Sequence, residues 1–374
     1  MAYDRKYMLK AIELAKKGEG WVNPNPMVGA VIVKDDKIIG EGYHTRFGEL
    51  HAEREAIKNA SEKGFSCKGA EMYVTLEPCC HTGKQPPCTE AIIEAGIKRV
   101  YVGSDDPNPI VAGNGVWALR ENNVEVITHS LKEECDKLNP VFFHFMKKNI
   151  PYIVYKYAMT LDGKTATVTG NSRWISNESS RAEVQKLRNK YMAIMVGIGT
   201  VLKDDPSLLC HMEGGKNPIR IICDSELRIP LDSTIVKTAN EAKTYIVSKA
   251  EHEKKNRHKI RELKEYGIGT LLIPTASDNM IDLNKLMQQL GKMHIDSVLL
   301  EGGGELSWSF LSKGFVDEIK CFIAPKVFGG KGPSPVNGLG IDAVADSFNY
   351  VLRDVCTFDG DVCLTYMNSS NEEG

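Results

Sequence analysis

Two short motifs constrain this chain more than any other feature of its sequence. The first is His-x-Glu, at His51 and Glu53. The second is Pro-Cys at Cys79, with eight residues between it and a further cysteine, Cys88. Zinc prefers nitrogen and sulfur ligands, and a catalytic zinc keeps three protein ligands and one open position. We therefore expect one Zn²⁺ to be bound by His51, Cys79 and Cys88.

Glu53 is near the predicted ligands in sequence without being one of them. In the first turn of a helix, residues two apart can both line a site at the helix end, which would bring Glu53 beside the metal. Zinc lowers the pKa of bound water toward about 7, and a nearby glutamate can then pass its proton to a leaving ammonia. This combination is typical of zinc nucleobase deaminases, whose two cysteines usually have only two residues between them.

One other interpretation of the motifs stays open. A structural zinc site usually has four protein ligands, and Cys80 or His81 is a candidate for the fourth. The chain would then be an interaction protein stabilised by zinc. A structural site should tolerate Glu53→Gln, whereas a deaminase should lose most of its rate and keep its zinc.

The composition is compatible with a small phosphorylated substrate. The 374 residues suggest two domains, which we place at 1–148 and 149–374. The formal net charge of −2 argues weakly against a nucleic acid partner. No run approaches the roughly 18 apolar residues of a membrane span. Since the N-terminal region also lacks the pattern of a signal peptide, we expect a cytoplasmic protein without a membrane or nucleic acid partner.

Strand-like and helix-like segments alternate in both halves, which predicts two α/β domains. In the first half the periodicity predicts one continuous helix over 131–147. The second half restarts after Pro151 and ends in antiparallel strands. We expect a homo-oligomer, to whose contacts the apolar segment 315–328 could contribute.

Longer stretches around these motifs resemble the family of bifunctional riboflavin-biosynthesis deaminase–reductases. The matching stretches are Asn23–Gly29, His51–Glu53, Glu77–Cys88, Leu161–Lys164, Trp174–Ile175, Asp204–Pro206 and Glu301–Gly304. The resemblance implies a cytidine-deaminase-like α/β/α domain followed by a dihydrofolate-reductase-like α/β domain. It also implies Zn²⁺, NADPH and a phosphorylated pyrimidine substrate. An alternative is another zinc nucleotide deaminase whose second half only binds a ligand.

In the first domain, the resemblance assigns Glu53 to catalysis and a further set of residues to the substrate. That set is Asn23, His44, His81, Lys84, Asp106 and Asn108. For Asn23 and Asn108, a turn-forming role is the alternative, because Asn side chains readily bond nearby backbone.

In the second domain, the resemblance places Lys156 at the hydride-transfer centre. It assigns Ala158, Trp174, Thr200, Asp204, Ser225, Gly303, Gly304, Glu305, Leu306, Ser307, Trp308 and Ser309 to the nicotinamide cofactor. It assigns Ser172, Arg188, Leu208, His211 and Glu301 to the sugar-phosphate substrate. The alternatives are a core aromatic for Trp174 and a solvated helix face for Arg188.

Glycine-rich turns give this half its own physical signal. Backbone N–H groups at a helix start after a turn such as Gly302–Gly304 can bind a pyrophosphate, although a simple tight turn fits the sequence equally well. A second strand-to-glycine turn lies at Gly197–Thr200, and ligands of α/β domains bind at such strand ends.

One position departs from the family pattern. The family usually has Arg where this chain has His211. Histidine is only partly charged at pH 7 and lacks the two-pronged guanidinium. We therefore expect weaker or pH-dependent phosphate binding there, unless another cation compensates.

Overall fold

The computed structural model describes residues 4–83 and 85–369, and the chain divides after Asn149 into two compact units. Both units are built from sheets and helices, so the predicted α/β class is confirmed for each. None of the helices in the described ranges is long and apolar enough to cross a membrane.

The described part of the first unit contains a five-stranded sheet with helices packed against it. Its strands are β1 (Gly29–Lys34), β2 (Lys37–Tyr43), β3 (Glu71–Leu76), β4 (Arg99–Ser104) and β5 (Glu125–Ile127). Its helices are α1 (Arg5–Lys16), α2 (Ala52–Glu62), α3 (Cys88–Glu94), α4 (Asn114–Glu121), α5 (Lys132–Asp136) and α6 (Pro140–Lys148). The strand order is β2-β1-β3-β4-β5, in which β1 is antiparallel to both neighbours and β3, β4 and β5 are parallel.

This topology brings several loops to one edge of the first sheet. The carboxyl ends of β2, β3 and β4 meet there with the amino end of β1. Helix α2 packs closely on β2, because Gly42 has no side chain. A β-carbon on Gly42 would collide with the α2 backbone at Ala52 and Ala56. The start of α2 is thereby held at this edge.

The prediction of one continuous helix over 131–147 is wrong. The structure has two helices, α5 and α6, and Pro140 is the first residue of the second. Proline lacks the N–H of a helix interior and clashes with the preceding turn, so it begins a helix here instead of continuing one. Asn139 in the break bonds the backbone of Met27, with Oδ1 accepting at 2.7 Å and Nδ2 donating at 2.9 Å.

The described part of the second unit has a nine-stranded sheet. Its strands are β6 (Tyr152–Thr160), β7 (Ala193–Gly197), β8 (Ile219–Cys223), β9 (Thr244–Lys249), β10 (Gly269–Ile273), β11 (Ser297–Glu301), β12 (Val316–Ala324), β13 (Tyr350–Phe358) and β14 (Asp361–Asn368). Its helices are α7 (Glu178–Lys190), α8 (Ile198–Asp204), α9 (Thr234–Lys237), α10 (His252–Lys255), α11 (Arg257–Glu265), α12 (Leu283–Lys292) and α13 (Gly304–Ser312), with a 3-10 turn at Val344–Asp346.

Seven neighbouring strands of this sheet run parallel, in the order β10-β9-β8-β7-β11-β6-β12, and β14 and β13 continue it antiparallel. The predicted antiparallel finish is therefore confirmed. Most of the segment 315–328 is β12, which pairs with strands on both sides. Its residues Val316, Cys321 and Phe322 are buried, so they form core and not a contact surface.

A fully buried arginine anchors the loop after α8. Arg220 on β8 is completely inaccessible to solvent. Its guanidinium donates to the carbonyl of Ser207 at 3.0 Å and to the hydroxyl of Thr238 at 2.8 Å. Neutral acceptors surround this cation, so its charge is satisfied by hydrogen bonds. The loop that leads into Leu208 is fixed to the sheet in this way.

Candidate active sites

The three predicted metal ligands converge at the edge of the first sheet. His51 is the residue before α2, Cys79 follows β3 and Cys88 is the first residue of α3. His51 Nδ1 lies 3.5 Å from Cys79 Sγ and 3.4 Å from Cys88 Sγ. All three ligand atoms lie within 4.8 Å of one another. In the described residues this is the one group of three or more such side chains that could hold a metal.

The donor set fits zinc in both chemistry and geometry. With Zn–N near 2.0 Å and Zn–S near 2.3 Å, the nitrogen–sulfur edge of a tetrahedron is about 3.5 Å, close to the distances found. Hydrogen bonding from Cys88 lowers the pKa of the Cys79 thiol. The hydrogen bond to Cys79, together with burial, raises the pKa of the Cys88 thiol. A dication between the sulfurs would favour the thiolate form of both.

Glu53 lies in the first turn of α2 and is almost completely buried. Burial raises the pKa of its carboxyl group to about 7. The helix thus presents His51 and Glu53 to the same small volume. This arrangement supports the interpretation of Glu53 as a proton-transfer group beside the metal ligands, and not as a fourth ligand.

Cys80 and His81 do not join the ligand cluster. Cys80 Sγ lies 3.8 Å from the carbonyl oxygen of Ile110. Nδ1 of His81 is buried and has no hydrogen-bond partner in the described part of the chain. An orphaned ring nitrogen is expensive to bury and points to a partner from outside the chain. Lys84 lies outside the described residues.

His44 is buried beside the ligands, with its ring centroid 5.2 Å from that of His51. Its Nδ1 is 3.0 Å from the carbonyl oxygen of Leu50, and its Nε2 is 3.1 Å from Asn25 Nδ2. Asn25 thus ties the loop that carries the half-buried Asn23 to His44. Asn25 was missed by the sequence analysis, since its motif does not tell which asparagine faces the site.

Asp106 and Asn108 follow β4 at the same sheet edge. Asp106 Oδ1 accepts from the backbone of Asn108 at 2.8 Å, and Asn108 Oδ1 accepts from the backbone of Ile110 at 3.1 Å. These are the turn-forming bonds that the sequence analysis kept as an alternative. Burial raises the pKa of Asp106 to about 6.

Arg54 also escaped the sequence analysis. Its Nε donates to the carbonyl of Pro86 at 3.2 Å and its Nη2 to that of Pro87 at 2.7 Å. It joins α2 to the end of the long loop between the two cysteines. A charged residue beside Glu53 gave no signal of this, because the bonded carbonyls are more than 30 residues away.

In the second unit, the structure brings Lys156, Arg188 and Glu301 together. Lys156 on β6 is the register partner of Glu301 at the end of β11. Arg188 on α7 binds Glu301 through two bonds, from Nε at 3.2 Å and from Nη2 at 2.9 Å. Both side chains of this pair are largely buried, so the alternative of a solvated helix face for Arg188 is wrong.

The charged side chains of this cluster shift one another's pKa values. Burial lowers the pKa of Lys156, and nearby Glu301 partly opposes that shift. Burial also disfavours the charged form of Glu301, but Arg188 and Lys156 outweigh it and lower the pKa of that carboxyl. Arg188 further donates to the carbonyl of Leu209 at 3.0 Å, which links the cluster to the loop after α8.

The two glycine-rich turns lie side by side, because β7 and β11 are parallel neighbours. A β-carbon on Gly303 would lie 3.9 Å from both Thr200 Oγ1 and the Gly197 nitrogen. Ser225 follows β8, the next strand along, and its carbonyl accepts from Ser248 Oγ at 3.0 Å. Thr200, Ser225 and the turn before α13 therefore share the carboxyl edge of the parallel sheet.

Other predicted cofactor residues are more scattered. Trp174 is 64% exposed and has the guanidinium of Arg181 4.6 Å above its ring, so it is not a core aromatic. Ala158 is half-buried, two residues after Lys156 on β6, and Ser172 is half-buried in a loop after that strand. The backbone carbonyl of Asp204 accepts from Arg173 at 3.1 Å.

Part of the predicted 303–309 stretch points away from the glycine turn. Glu305 and Leu306 continue the first turn of α13, and buried Ser307 donates to the carbonyl of Gly303. Trp308 packs against Phe348, with ring centroids 5.8 Å apart. Ser309 Oγ bonds the carbonyl of Glu305 within the helix.

The predicted substrate residues of the loop after α8 differ in exposure. The Leu208 side chain is buried in the core, so only its backbone is available to contact a ligand. His211 is exposed, with its backbone N–H bonded to Gln185 Oε1 at 2.9 Å and its Nε2 3.4 Å from Ser207 Oγ.

Comparisons with known proteins agree with this two-part arrangement. The family model for the cytidine and deoxycytidylate deaminase zinc-binding region matches residues 1–104, and that for the RibD C-terminal domain matches residues 151–364. The riboflavin biosynthesis protein RibD of Actinobacillus pleuropneumoniae is 48% identical over 365 residues, which cover 97% of this chain and 95% of that protein.

Two solved structures are similar over nearly the whole chain. The deaminase/5-amino-6-(5-phosphoribosylamino)uracil reductase of Thermotoga maritima is 39% identical with a TM-score of 0.85, covering 97% of this chain and 98% of that one. Acinetobacter baumannii RibD is 36% identical with a TM-score of 0.87, covering 98% of each chain. The predicted cytidine-deaminase-like and reductase folds are thereby confirmed. The chain belongs to the RibD family of riboflavin biosynthesis proteins, with a zinc-binding deaminase domain joined to a reductase domain that uses a nicotinamide cofactor.

Proposed function

We propose that the chain catalyses two consecutive steps on one phosphorylated pyrimidine. The first unit deaminates 2,5-diamino-6-ribosylamino-4(3H)-pyrimidinone 5′-phosphate. The second reduces the ribosyl group to ribityl with NADPH, which yields 5-amino-6-ribitylamino-uracil 5′-phosphate. The observation that carries the proposal is the convergence of His51, Cys79 and Cys88 beside buried Glu53 in a member of this family.

In the first step, water replaces the 2-amino group and ammonia leaves. His51, Cys79 and Cys88 would hold a Zn²⁺ ion, which would supply an activated water at neutral pH. Glu53 accepts a proton from the attacking water and delivers it to the departing nitrogen. Its position at the start of α2, two residues from His51, keeps the carboxylate within the site throughout.

The surrounding side chains bind and orient the pyrimidine. Asn23 and His44 hydrogen-bond the ring, and Asn25 holds His44 in place. The orphaned Nδ1 of His81 finds its partner on the substrate. Lys84 pairs with the phosphate, and Asp106 and Asn108 close the far side of the pocket through the turn that they form.

Bound NADPH would supply the hydride for the second step, which reduces the ribosyl group. Lys156 and Arg188 supply positive charge to the sugar phosphate. Glu301 holds Arg188 in position through two hydrogen bonds and is in register with Lys156 on the neighbouring strand. Ser172, His211 and the backbone at Leu208 complete this binding site. The cofactor is bound by Ala158, Trp174, Thr200, Asp204, Ser225 and the turn from Gly303. The backbone N–H groups at the start of α13 donate hydrogen bonds to its pyrophosphate.

A homo-oligomer is part of the proposal. Within the described residues, strand β13 pairs only with β14, and its residues Val351, Leu352 and Val355 are exposed. An exposed apolar edge strand is a liability unless another chain covers it. Sedimentation analysis of the wild type and of Val355→Lys tests this, because the charge should shift a dimer toward monomer. Sedimentation of the wild type as a monomer would contradict it.

A coupled assay tests the reaction sequence. The full chain, loaded with zinc, is given the diaminopyrimidine ribotide and NADPH, and ammonia release and NADPH absorbance are followed together. Both signals are expected, with ammonia preceding oxidation. Glu53→Gln should abolish ammonia release, keep its zinc and still oxidise NADPH when deaminated substrate is supplied. Ammonia release without NADPH oxidation would favour the alternative of a deaminase with a non-catalytic second half.

A further inference from the structure

A cluster of charged side chains lies at the carboxyl ends of β8 and β9. Glu226 follows β8, Lys249 is the last residue of β9, and His252 comes three residues later. Lys249 Nζ lies 2.6 Å from Glu226 Oε1, and His252 Nε2 lies 3.4 Å from Glu226 Oε2. Two basic groups thus converge on one carboxylate.

Burial in this cluster is unequal. The side chains of Lys249 and His252 are 10% and 6% exposed, whereas that of Glu226 is 48% exposed. A buried lysine needs an anion, because an unpaired charge is costly to remove from water. Here the anion is a surface side chain that can rotate into solvent. The two basic groups are therefore fixed and their anionic partner is exchangeable.

Within the described residues, the ring N–H of His252 has no hydrogen-bond acceptor in good geometry. Its Nδ1 lies 2.7 Å from Asn256 Nδ2, and an amide nitrogen can only donate, so the proton of the neutral ring is assigned to Nε2. That Nε2 is buried and makes no hydrogen bond within the described residues, since its approach to Glu226 lacks bonding geometry. A buried donor left unsatisfied costs stability, which a better-placed acceptor would recover.

The cluster continues the edge that carries the glycine turns. From β11 the sheet order runs through β7 and β8 to β9, with about 4.8 Å between strands. The carbonyl of Ser225 accepts from the backbone of Lys249 at 3.4 Å, so the cluster adjoins a predicted cofactor residue. A dinucleotide with its pyrophosphate at Gly303 would lay its adenosine ribose over β8 and β9. This step depends on the cofactor site proposed above.

We propose that Lys249 and His252 bind the 2′-phosphate of the cofactor's adenosine ribose, a phosphate monoester. When no cofactor is bound, the carboxylate of Glu226 occupies the place of the phosphate beside Lys249 and His252. It rotates into solvent when the phosphate binds. NADH has a hydroxyl there and leaves the ion pair intact. The half-exposed Arg228, in the same turn as Glu226, adds a further positive charge beside the phosphate.

Binding measurements on the full-length chain test this without relying on turnover. Dissociation constants are measured for NADPH and NADH by titration calorimetry, and for the probes 2′,5′-ADP and 5′-ADP. Lys249→Met should weaken NADPH and 2′,5′-ADP by about tenfold or more, as expected for losing one partner of a buried charge contact. NADH and 5′-ADP should bind as before. Glu226→Gln, at a half-exposed position that folding tolerates, should tighten NADPH and 2′,5′-ADP.

Lys255→Ala is the matched control, since this lysine lies on α10, is exposed and pairs with Glu251. It should leave all four constants unchanged. An unchanged NADPH/NADH ratio in both Lys249→Met and Glu226→Gln would overturn the inference and leave the cofactor site standing. A wild type that binds neither dinucleotide would overturn the proposed reductase step itself.

Discussion

At the scale of single residues, the sequence predicts which side chains bind the metal but not which side chains hold them in place. The ligand types at 51, 79 and 88 predict zinc because few metals prefer one imidazole and two thiolates. The side chains that hold the site in place, such as Asn25 on His44 and Arg54 on the proline carbonyls, have no such signature. Asparagine and arginine occur throughout any sequence, so only the contact identifies them.

The loop after α8 offers a test at His211. His211→Arg should lower the KM of the reductase for deaminated substrate, because a guanidinium is always charged and can bind phosphate through two bonds. His211 is exposed, so the longer side chain has room. Steady-state NADPH oxidation measures the effect, and deaminase KM in the same preparation is the control. An unchanged or higher reductase KM would contradict the prediction.

We predict that deprotonation of Lys156 causes the fall in reductase kcat/KM on the alkaline side of its pH profile. Burial lowers the pKa of Lys156, with Glu301 opposing and Arg188 reinforcing the shift. The ammonium is charged below its pKa and neutral above it, so substrate binding should fail as pH rises, before the usual lysine value of about 10.4. Profiles of kcat/KM against pH measure this. Lys156→Arg should move the alkaline limb upward, and a limb that stays in place would exclude Lys156 as its source.

At the scale of elements, the close packing of α2 on β2 positions His51 and Glu53. The continuous run of apolar residues at 30–33 favours a strand, in agreement with β1. The pattern does not report that α2 lies against the backbone of β2. That approach depends on Gly42, where a β-carbon would meet the helix backbone. A glycine in a strand is otherwise only a weak signal of close contact.

Gly42→Ala should therefore damage the first active site alone. Overpacking of a tight interface costs about 1–3 kcal/mol, and displacement of α2 would move His51 and Glu53 together. Zinc content and deaminase rate should both fall. Reductase activity of the same protein is an internal control and should persist. Retention of full zinc content and rate would show that α2 tolerates the added carbon.

At the scale of the whole molecule, the two sites are chemically independent. The predicted zinc ligands all lie before Asn149, and the residues proposed for the reductase all follow it. Neither set borrows a ligand from the other unit. Loss of one function therefore does not require loss of the other.

Removal of zinc tests whether the two activities are independent. Treatment with a strong chelator is expected to abolish ammonia release and to leave NADPH oxidation with deaminated substrate unchanged. Readdition of Zn²⁺ should restore the first activity, since His51, Cys79 and Cys88 remain able to ligate. Parallel loss of both activities on chelation would mean that the second unit depends on the metal.

The sequence by itself predicted the α/β class, zinc as the metal and the three residues expected to ligate it. These follow from local periodicity and from the chemical preference of zinc for particular side chains, both of which are readable along the chain. Tertiary structure alone decided that Arg188 binds Glu301 across 113 residues and that Lys249 meets Glu226. It also divided the predicted 131–147 helix at Pro140 and placed most of the 315–328 segment inside the sheet as β12. The physical reason is that charge pairing and burial depend on which strands become neighbours, and that order is a property of the folded sheet and not of local sequence.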